Sequence, residues 1–183
     1  MASSWAHAMA AVTVVAAFAP RATASVAWMA AGVSAVALDI DAVGRLWTGG
    51  GDVMWLGGHR ALTHSLAFAA GIGVVIMLGL WRATPGAARR LGLWLVVTVA
   101  IATHGGLDAL TGYGEGIQFL APWSSERYSA PVRLLGRGIV RDSIAFVVLF
   151  LACRTVIRWR GLELPILLDP PFLRPETSRG RQR

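Results

Sequence analysis

Seven residues of types that bind metal ions lie at the ends of apolar stretches in this 183-residue sequence. They are all four histidines and three carboxylates: His7, Asp39, Asp41, His59, His64, His104 and Asp108. Imidazole nitrogens together with carboxylate oxygens suit zinc, manganese or iron. A single cysteine, Cys153, excludes a zinc site built from several thiolates. Ionisable groups are costly beside hydrocarbon, so a functional site is the first hypothesis for them.

The spacing of these residues fits convergence on one site. His104 and Asp108 are four residues apart, so on a helix they lie on one face. His59 and His64 are five apart, so at least one of them belongs to a loop that precedes a helix.

The elements that must position these groups are five apolar stretches. They span residues 5–18, 22–38, 61–81, 91–110 and 143–157. The chain is 55% hydrophobic and only 15% charged, well below the roughly 25% charged residues of soluble domains. A helix needs about 20 apolar residues to cross the hydrocarbon layer. We therefore predict an all-α integral membrane bundle of four or five transmembrane helices.

Residues 1–160 are predicted to form one transmembrane domain, and 161–183 a disordered Pro- and Arg-rich tail. Ala-Thr-Ala at 22–24 is an alternative signal-peptidase site, but no basic residue precedes the first apolar stretch, which favours a span. The basic residues are all arginines at the ends of apolar stretches or in the tail, a pattern typical of membrane proteins rather than nucleic-acid-binding proteins.

Alternating spans bring all seven groups to the same side of the membrane. Hydropathy alone does not require this one-sided placement, so we favour a metal site. Seven residues are enough to bind two ions, and some of the seven could instead orient the residues that bind the metal. Each residue alone has a simpler explanation, as an interfacial or hydrogen-bonded side chain. His104 with Asp108 also fits one step of a proton path.

Three segments resemble the YdjM-type family of membrane-bound, proposed metal-dependent hydrolases. They are Leu-Asp-Ile-Asp at 38–41, His-Arg-Ala-Leu-Thr-His-Ser at 59–65 and His-Gly-Gly-Leu-Asp-Ala-Leu-Thr at 104–111. Pro-Trp-Ser at 122–124 and Arg-Tyr at 127–128 match a later segment of the family. The chain departs from the pattern at Leu38, where a proline is usual, and at Ala6, where a threonine is usual.

The resemblance implies a hydrolase in which a divalent metal, zinc or manganese, activates water against an ester. A bound ion lowers the pKa of water from about 15.7 towards 7. Asp39 or Asp41 is then the candidate general base, and Arg60 and Arg127 are candidates for neutralising an anionic substrate. Arg60 and Arg127 could equally be arginines that reach the lipid headgroups. Three hydroxyl residues are expected to hydrogen-bond the ligands: Thr63, Ser65 and Thr111.

A site at the membrane face favours a lipid or lipid-linked substrate, such as a phosphoester, and membrane lipids as partners. The alternative function is a transporter or channel for metal ions or protons that uses the same His and Asp cluster. A transporter needs polar residues across the bilayer, and the opposite ends of these stretches offer only arginine. A non-catalytic scaffold does not explain the clustering.

Short-loop arginines predict the orientation of this multi-pass inner membrane protein. Arg82, Arg89 and Arg90 lie close to the spans, which places that side in the cytoplasm together with the C-terminus. The candidate site then faces the periplasm, provided that the fifth stretch crosses. Reporter fusions within 41–60 and after residue 160 should report periplasmic and cytoplasmic locations respectively. A cytoplasmic signal from the 41–60 fusion would reverse the orientation.

Overall fold

The computed structural model describes residues 4–39, 58–111, 116–135 and 139–162, and helices are the regular elements within these ranges, while 116–135 is a loop. The five helices are α1 (Ser4–Phe18), α2 (Arg21–Ala37), α3 (Leu66–Gly79), α4 (Ala87–Ala109) and α5 (Ile139–Trp159). No β-strand forms in these ranges; the bridges 111–135 and 117–128 are isolated. The predicted all-α bundle is confirmed.

Helix boundaries follow the local breaking residues. Pro20 separates α1 from α2, and the turn before α4 contains Gly86 with a φ of 90°, which favours glycine. The third apolar stretch was predicted to begin at residue 61, but α3 begins only at Leu66. Residues Leu62–His64 form a 3₁₀ turn, and the Ser65 hydroxyl accepts a hydrogen bond from the Phe68 amide as the N-cap.

Helix α1 lies at the centre of the bundle and packs against α2, α4 and α5, while α3 packs against α4. Small residues allow these helices to approach closely. A Cβ added at Gly32 would come within 3.0 Å of the Val12 Cγ2 atom, which marks the crossing of α1 and α2. At Gly73 an added Cβ would lie 2.5 Å from the Thr98 hydroxyl, so α3 and α4 meet with similar closeness.

The outer surface of the bundle is apolar. Val33 on α2 is 71% exposed, Val75 on α3 is 65% exposed, and Val148 on α5 is likewise exposed. Within the described residues, α4 is the one helix long and apolar enough to cross a membrane by itself, and Ser4–Phe18, Val26–Ala37 and Leu66–Gly79 are shorter apolar helices. Exposed valines on the outside of a tightly packed core suit contact with lipid chains.

An arginine fixes the end of the bundle where α1 and α5 terminate. The Arg160 Nη1 atom donates to the carbonyl oxygens of Ala16, Ala17 and Ala19 at 2.9–3.0 Å. Arg21 in turn donates to the Arg160 carbonyl oxygen. These bonds satisfy carbonyl groups that the end of α1 leaves unpaired, and they join α1, α2 and α5.

Candidate metal centre

Helix ends from four parts of the chain meet at the other end of the bundle. His7 lies in the first turns of α1, and Asp39 follows the end of α2. His64 lies in the 3₁₀ turn before α3, and His104 and Asp108 lie in the last two turns of α4. Asp39, His64, His104 and Asp108 each offer one ligand atom, and these four atoms all lie within 4.8 Å of one another, so that they could bind a metal ion.

The separations between these atoms match those of ligands around one ion. The two imidazole Nε2 atoms of His64 and His104 are 3.0 Å apart. Asp39 Oδ1 lies 3.4 Å from His104 Nε2 and 3.6 Å from His64 Nε2, and Asp108 Oδ2 lies 3.6 Å from His64 Nε2 and 3.9 Å from His104 Nε2. Tetrahedral bonds of about 2.0–2.1 Å place neighbouring ligand atoms about 3.3–3.4 Å apart. The five measured distances lie on both sides of that value.

The carboxylates of the cluster are short of hydrogen bonds. Both carboxylate oxygens of Asp39 and of Asp108 are buried and accept no well-formed hydrogen bond from the described residues, although Arg60 and the imidazoles lie 3.3–3.9 Å away. Burying an anion costs several kcal/mol unless a cation or several donors compensate. A divalent cation between these oxygens and the two imidazoles would satisfy them together.

Thr63 fixes the orientation of His64. The Thr63 hydroxyl lies 2.9 Å from His64 Nδ1, so the other ring nitrogen, Nε2, is left to face the cluster. Hydrogen bonding of the remote nitrogen is the usual way to set the tautomer of a metal-binding histidine. Thr63 thus contacts His64, one of the four residues that could bind a metal ion.

Arg60 is buried against the cluster. Its Nε atom lies 3.3 Å from Asp108 Oδ2, and its Nη2 atom donates to the Thr111 hydroxyl at 3.1 Å. The Thr111 hydroxyl donates to the Asp108 carbonyl oxygen at 2.7 Å. Arg60 has a φ of 66°, a strained value for a residue with a side chain. Arg60 thus contacts the side chain of Asp108 and Thr111 contacts its backbone; the sequence did not indicate the contact with Arg60.

His7 and His59 flank the four central residues. The His7 ring stacks on the His104 ring with 3.8 Å between centroids, and its Nε2 atom lies 3.4 Å from Asp108 Oδ1. The half-buried His59 ring meets the His64 ring edge-on with centroids 5.3 Å apart. Asp41 lies outside the described residues.

The remaining predicted residues support the loop of residues 116–135 and the start of α3. Ser65 caps α3, and its hydroxyl accepts a hydrogen bond from the Phe68 amide. Arg127 donates to the Gly116 carbonyl oxygen at 3.2 Å, within the loop. The exposed Tyr128 hydroxyl donates to the Glu126 carboxylate, which raises the pKa of Tyr128.

Gly105 is a site residue that the sequence analysis did not single out. A Cβ at this position would lie 3.0 Å from the His64 carbonyl oxygen and 3.1 Å from the Phe119 ring. Glycine next to His104 therefore lets the 3₁₀ turn and the loop lie directly on α4. The Gly-Gly after His104 was the available signal.

Comparison with known proteins places the chain among inner membrane proteins. It is 38% identical over 79 residues to the inner membrane protein YbcI of Escherichia coli. That match covers 43% of this chain and 44% of YbcI, so the chain spans less than half the length of that relative. No solved structure matches the chain. Residues 1–168 match the model of the YdjM inner membrane protein family, so the chain belongs to that family, as its motifs predicted.

Proposed function

We propose that this chain is a metal-dependent hydrolase that cleaves an ester at the membrane face. The observation that carries the proposal is the buried group of two imidazoles and two carboxylates, whose ligand atoms all lie within 4.8 Å. Nitrogen and oxygen ligands without sulfur suit zinc or manganese. When bound, such an ion supplies Lewis acidity and brings the pKa of a coordinated water to about 7.

Asp39 is the least buried of the four residues, although both of its carboxylate oxygens are buried. His64, His104 and Asp108 have side chains that are fully buried, whereas that of Asp39 is 13% exposed. Two histidines and one carboxylate form the ligand set of several catalytic zinc sites, which keep a fourth position for water. We assign His64, His104 and Asp108 as permanent ligands.

Asp39 is then placed to act as the general base. Its Oδ1 atom lies 3.4 Å from His104 Nε2 and 3.6 Å from His64 Nε2, close enough to take a proton from a water that an ion held by these residues would bind. Asp39 accepts a proton as the water oxygen bonds to the phosphorus or acyl carbon of the ester. The ester bond breaks, and the leaving alcohol takes up that proton.

Arg60 supports this chemistry by holding Asp108. Two carboxylates and one guanidinium leave the buried cluster with one net negative charge when the histidines are neutral, which favours a divalent cation. His7 Nε2 lies 3.4 Å from the second oxygen of Asp108, so a second ion, when bound, would be held by these two groups. A role for Arg60 or Arg127 in binding an anionic substrate remains part of the proposal.

A metal-ion or proton transporter is the alternative function for the same cluster. A transport path needs polar groups that continue through the bilayer. One helical turn below His7 and His104 lie Ala11 and Ala100, both fully buried, and Val97 follows on α4. This apolar layer, in the part of the chain that the structure describes, favours the hydrolase.

Removing a ligand should remove the metal. We expect detergent-purified protein, loaded with zinc or manganese and desalted, to retain at least one ion per chain by mass spectrometry of the element. His64→Ala and Asp108→Ala should each retain little, because each removes a buried ligand. Asp142→Asn, a carboxylate change in the first turn of α5 outside the cluster, is the matched control and should bind as the unmodified protein does. Full metal retention by His64→Ala would contradict the site.

Changing Asp39 should separate catalysis from binding. Asp39→Asn keeps the shape of the side chain but cannot accept the proton, so we expect kcat on phosphoester substrates to fall about 10²–10⁴-fold. Metal content should stay near that of the unmodified protein. If Asp39→Asn loses the ion as completely as His64→Ala does, Asp39 is a ligand and the assignment of the base is wrong.

A further inference from the structure

An apolar groove lies on the outside of the bundle between the first turns of α1 and the last turns of α2. Its volume is about 410 Å³, and Trp5 and Ala8 form one wall while Val33 and Val36 form the other. Its lining runs from Gly32, where the two helices cross closely, to Ser4 at the start of α1 and Ala37 at the end of α2. No polar atom lines it, so it suits a hydrocarbon chain and not a headgroup.

On α2, the wall of the groove ends two residues before Asp39, the least buried residue of the cluster. The Asp39 amide donates to the Val36 carbonyl oxygen at 3.3 Å, so the chain continues as a turn from the wall of the groove to Asp39. Among the four central residues Asp39 has the most exposed side chain, and the other three are closed off. On the opposite wall, Ala8 follows His7, whose ring points inward against His104. The groove therefore ends within a few residues of the cluster on both walls, beside His7 on α1 and Asp39 after α2.

The surroundings of the groove identify its occupant. The chain belongs to an inner membrane family, and the 71%-exposed Val33 places this face in contact with lipid. Each buried CH₂ of a lipid chain contributes about 0.8 kcal/mol. Asp39 follows the end of α2, two residues beyond Ala37 in the wall of the groove.

We propose that this groove binds the acyl chain of a membrane lipid and presents the ester or phosphoester linkage of that lipid to the metal centre at Asp39. The inference rests on the proposed hydrolase and names its substrate class. Because it also predicts where lipid binds, occupancy of the groove can be measured without activity.

The binding test uses vesicles of phosphatidylethanolamine and phosphatidylglycerol, with a small fraction of phosphatidic acid that carries a diazirine in one acyl chain. After illumination, mass spectrometry should find several-fold more labelled lipid on peptides containing Trp5 or Val33 than on the α3 peptide containing Val75. Val33→Trp fills the groove from an exposed position and should lower groove labelling several-fold. Ala37→Phe, also at an exposed position, should do the same, and Val75→Trp on the lipid face of α3 should not. Equal labelling of both faces, or no effect of Val33→Trp, would overturn the proposal.

The activity test compares long-chain phosphatidic acid with water-soluble p-nitrophenyl phosphate. Val33→Trp should slow hydrolysis of the lipid several-fold and leave that of the soluble ester unchanged, whereas Val75→Trp should affect neither. If labelling follows the prediction but neither substrate is cleaved, the hydrolase proposal fails for phosphoesters, and the proposal that the groove binds a lipid chain is still supported. If lipid is cleaved equally by Val33→Trp and Val75→Trp, the groove does not select the substrate and the inference fails.

Discussion

The burial of Asp108 among charged and titratable groups constrains the rest of this structure. Its carboxylate faces Arg60, His64 and His7 and lies one helical turn from His104. An anion in such a place is several kcal/mol too costly without compensation, and one guanidinium cannot balance a second buried carboxylate. The burial of these charges is therefore explained if the cluster binds a cation, whereas without a cation it would destabilise the fold. Every helix end that meets there contributes either a ligand or a group that holds one.

The neighbouring elements are shaped to bring these ends together. Because Leu62–His64 forms a 3₁₀ turn, the His64 ring reaches α4 before α3 begins. Gly105 lets that turn lie against α4 without a collision. At the far end of the bundle, Arg160 ties α5 to the last carbonyl groups of α1. That contact holds α1, which carries His7, in a fixed relation to the other helices.

Much of the centre was predictable because it depends on two periodic features of the sequence. The i, i+4 spacing of His104 and Asp108 places both on one helix face, and alternation of apolar stretches places Asp39 and His64 at the same end. The contact of Arg60 with Thr111, 51 residues away, has no local pattern, so its role in holding Asp108 appeared only in three dimensions.

Other features could not be predicted from the sequence because they depend on local capping or on contacts between helices. The delayed start of α3 depends on a cap at Ser65 inside an apolar stretch, which hydropathy cannot separate from a helix. Asp41 lies outside the described residues, so its predicted part in the site stays a prediction. The groove between α1 and α2 arises from the crossing at Gly32, and the angle of that crossing cannot be predicted from the sequence of either helix alone.

X-ray absorption spectroscopy of metal-loaded, detergent-purified protein tests the metal centre most directly. The account predicts nitrogen and oxygen neighbours at about 2.0–2.2 Å, scattering from two imidazole rings, and no sulfur at about 2.3 Å. Cys153 is buried in the helical core among apolar residues, so it offers no thiolate to the site. His104→Ala should reduce the imidazole signal to that of one ring. A sulfur neighbour, or an imidazole signal that His104→Ala leaves unchanged, would contradict the assignment of this cluster as the metal centre.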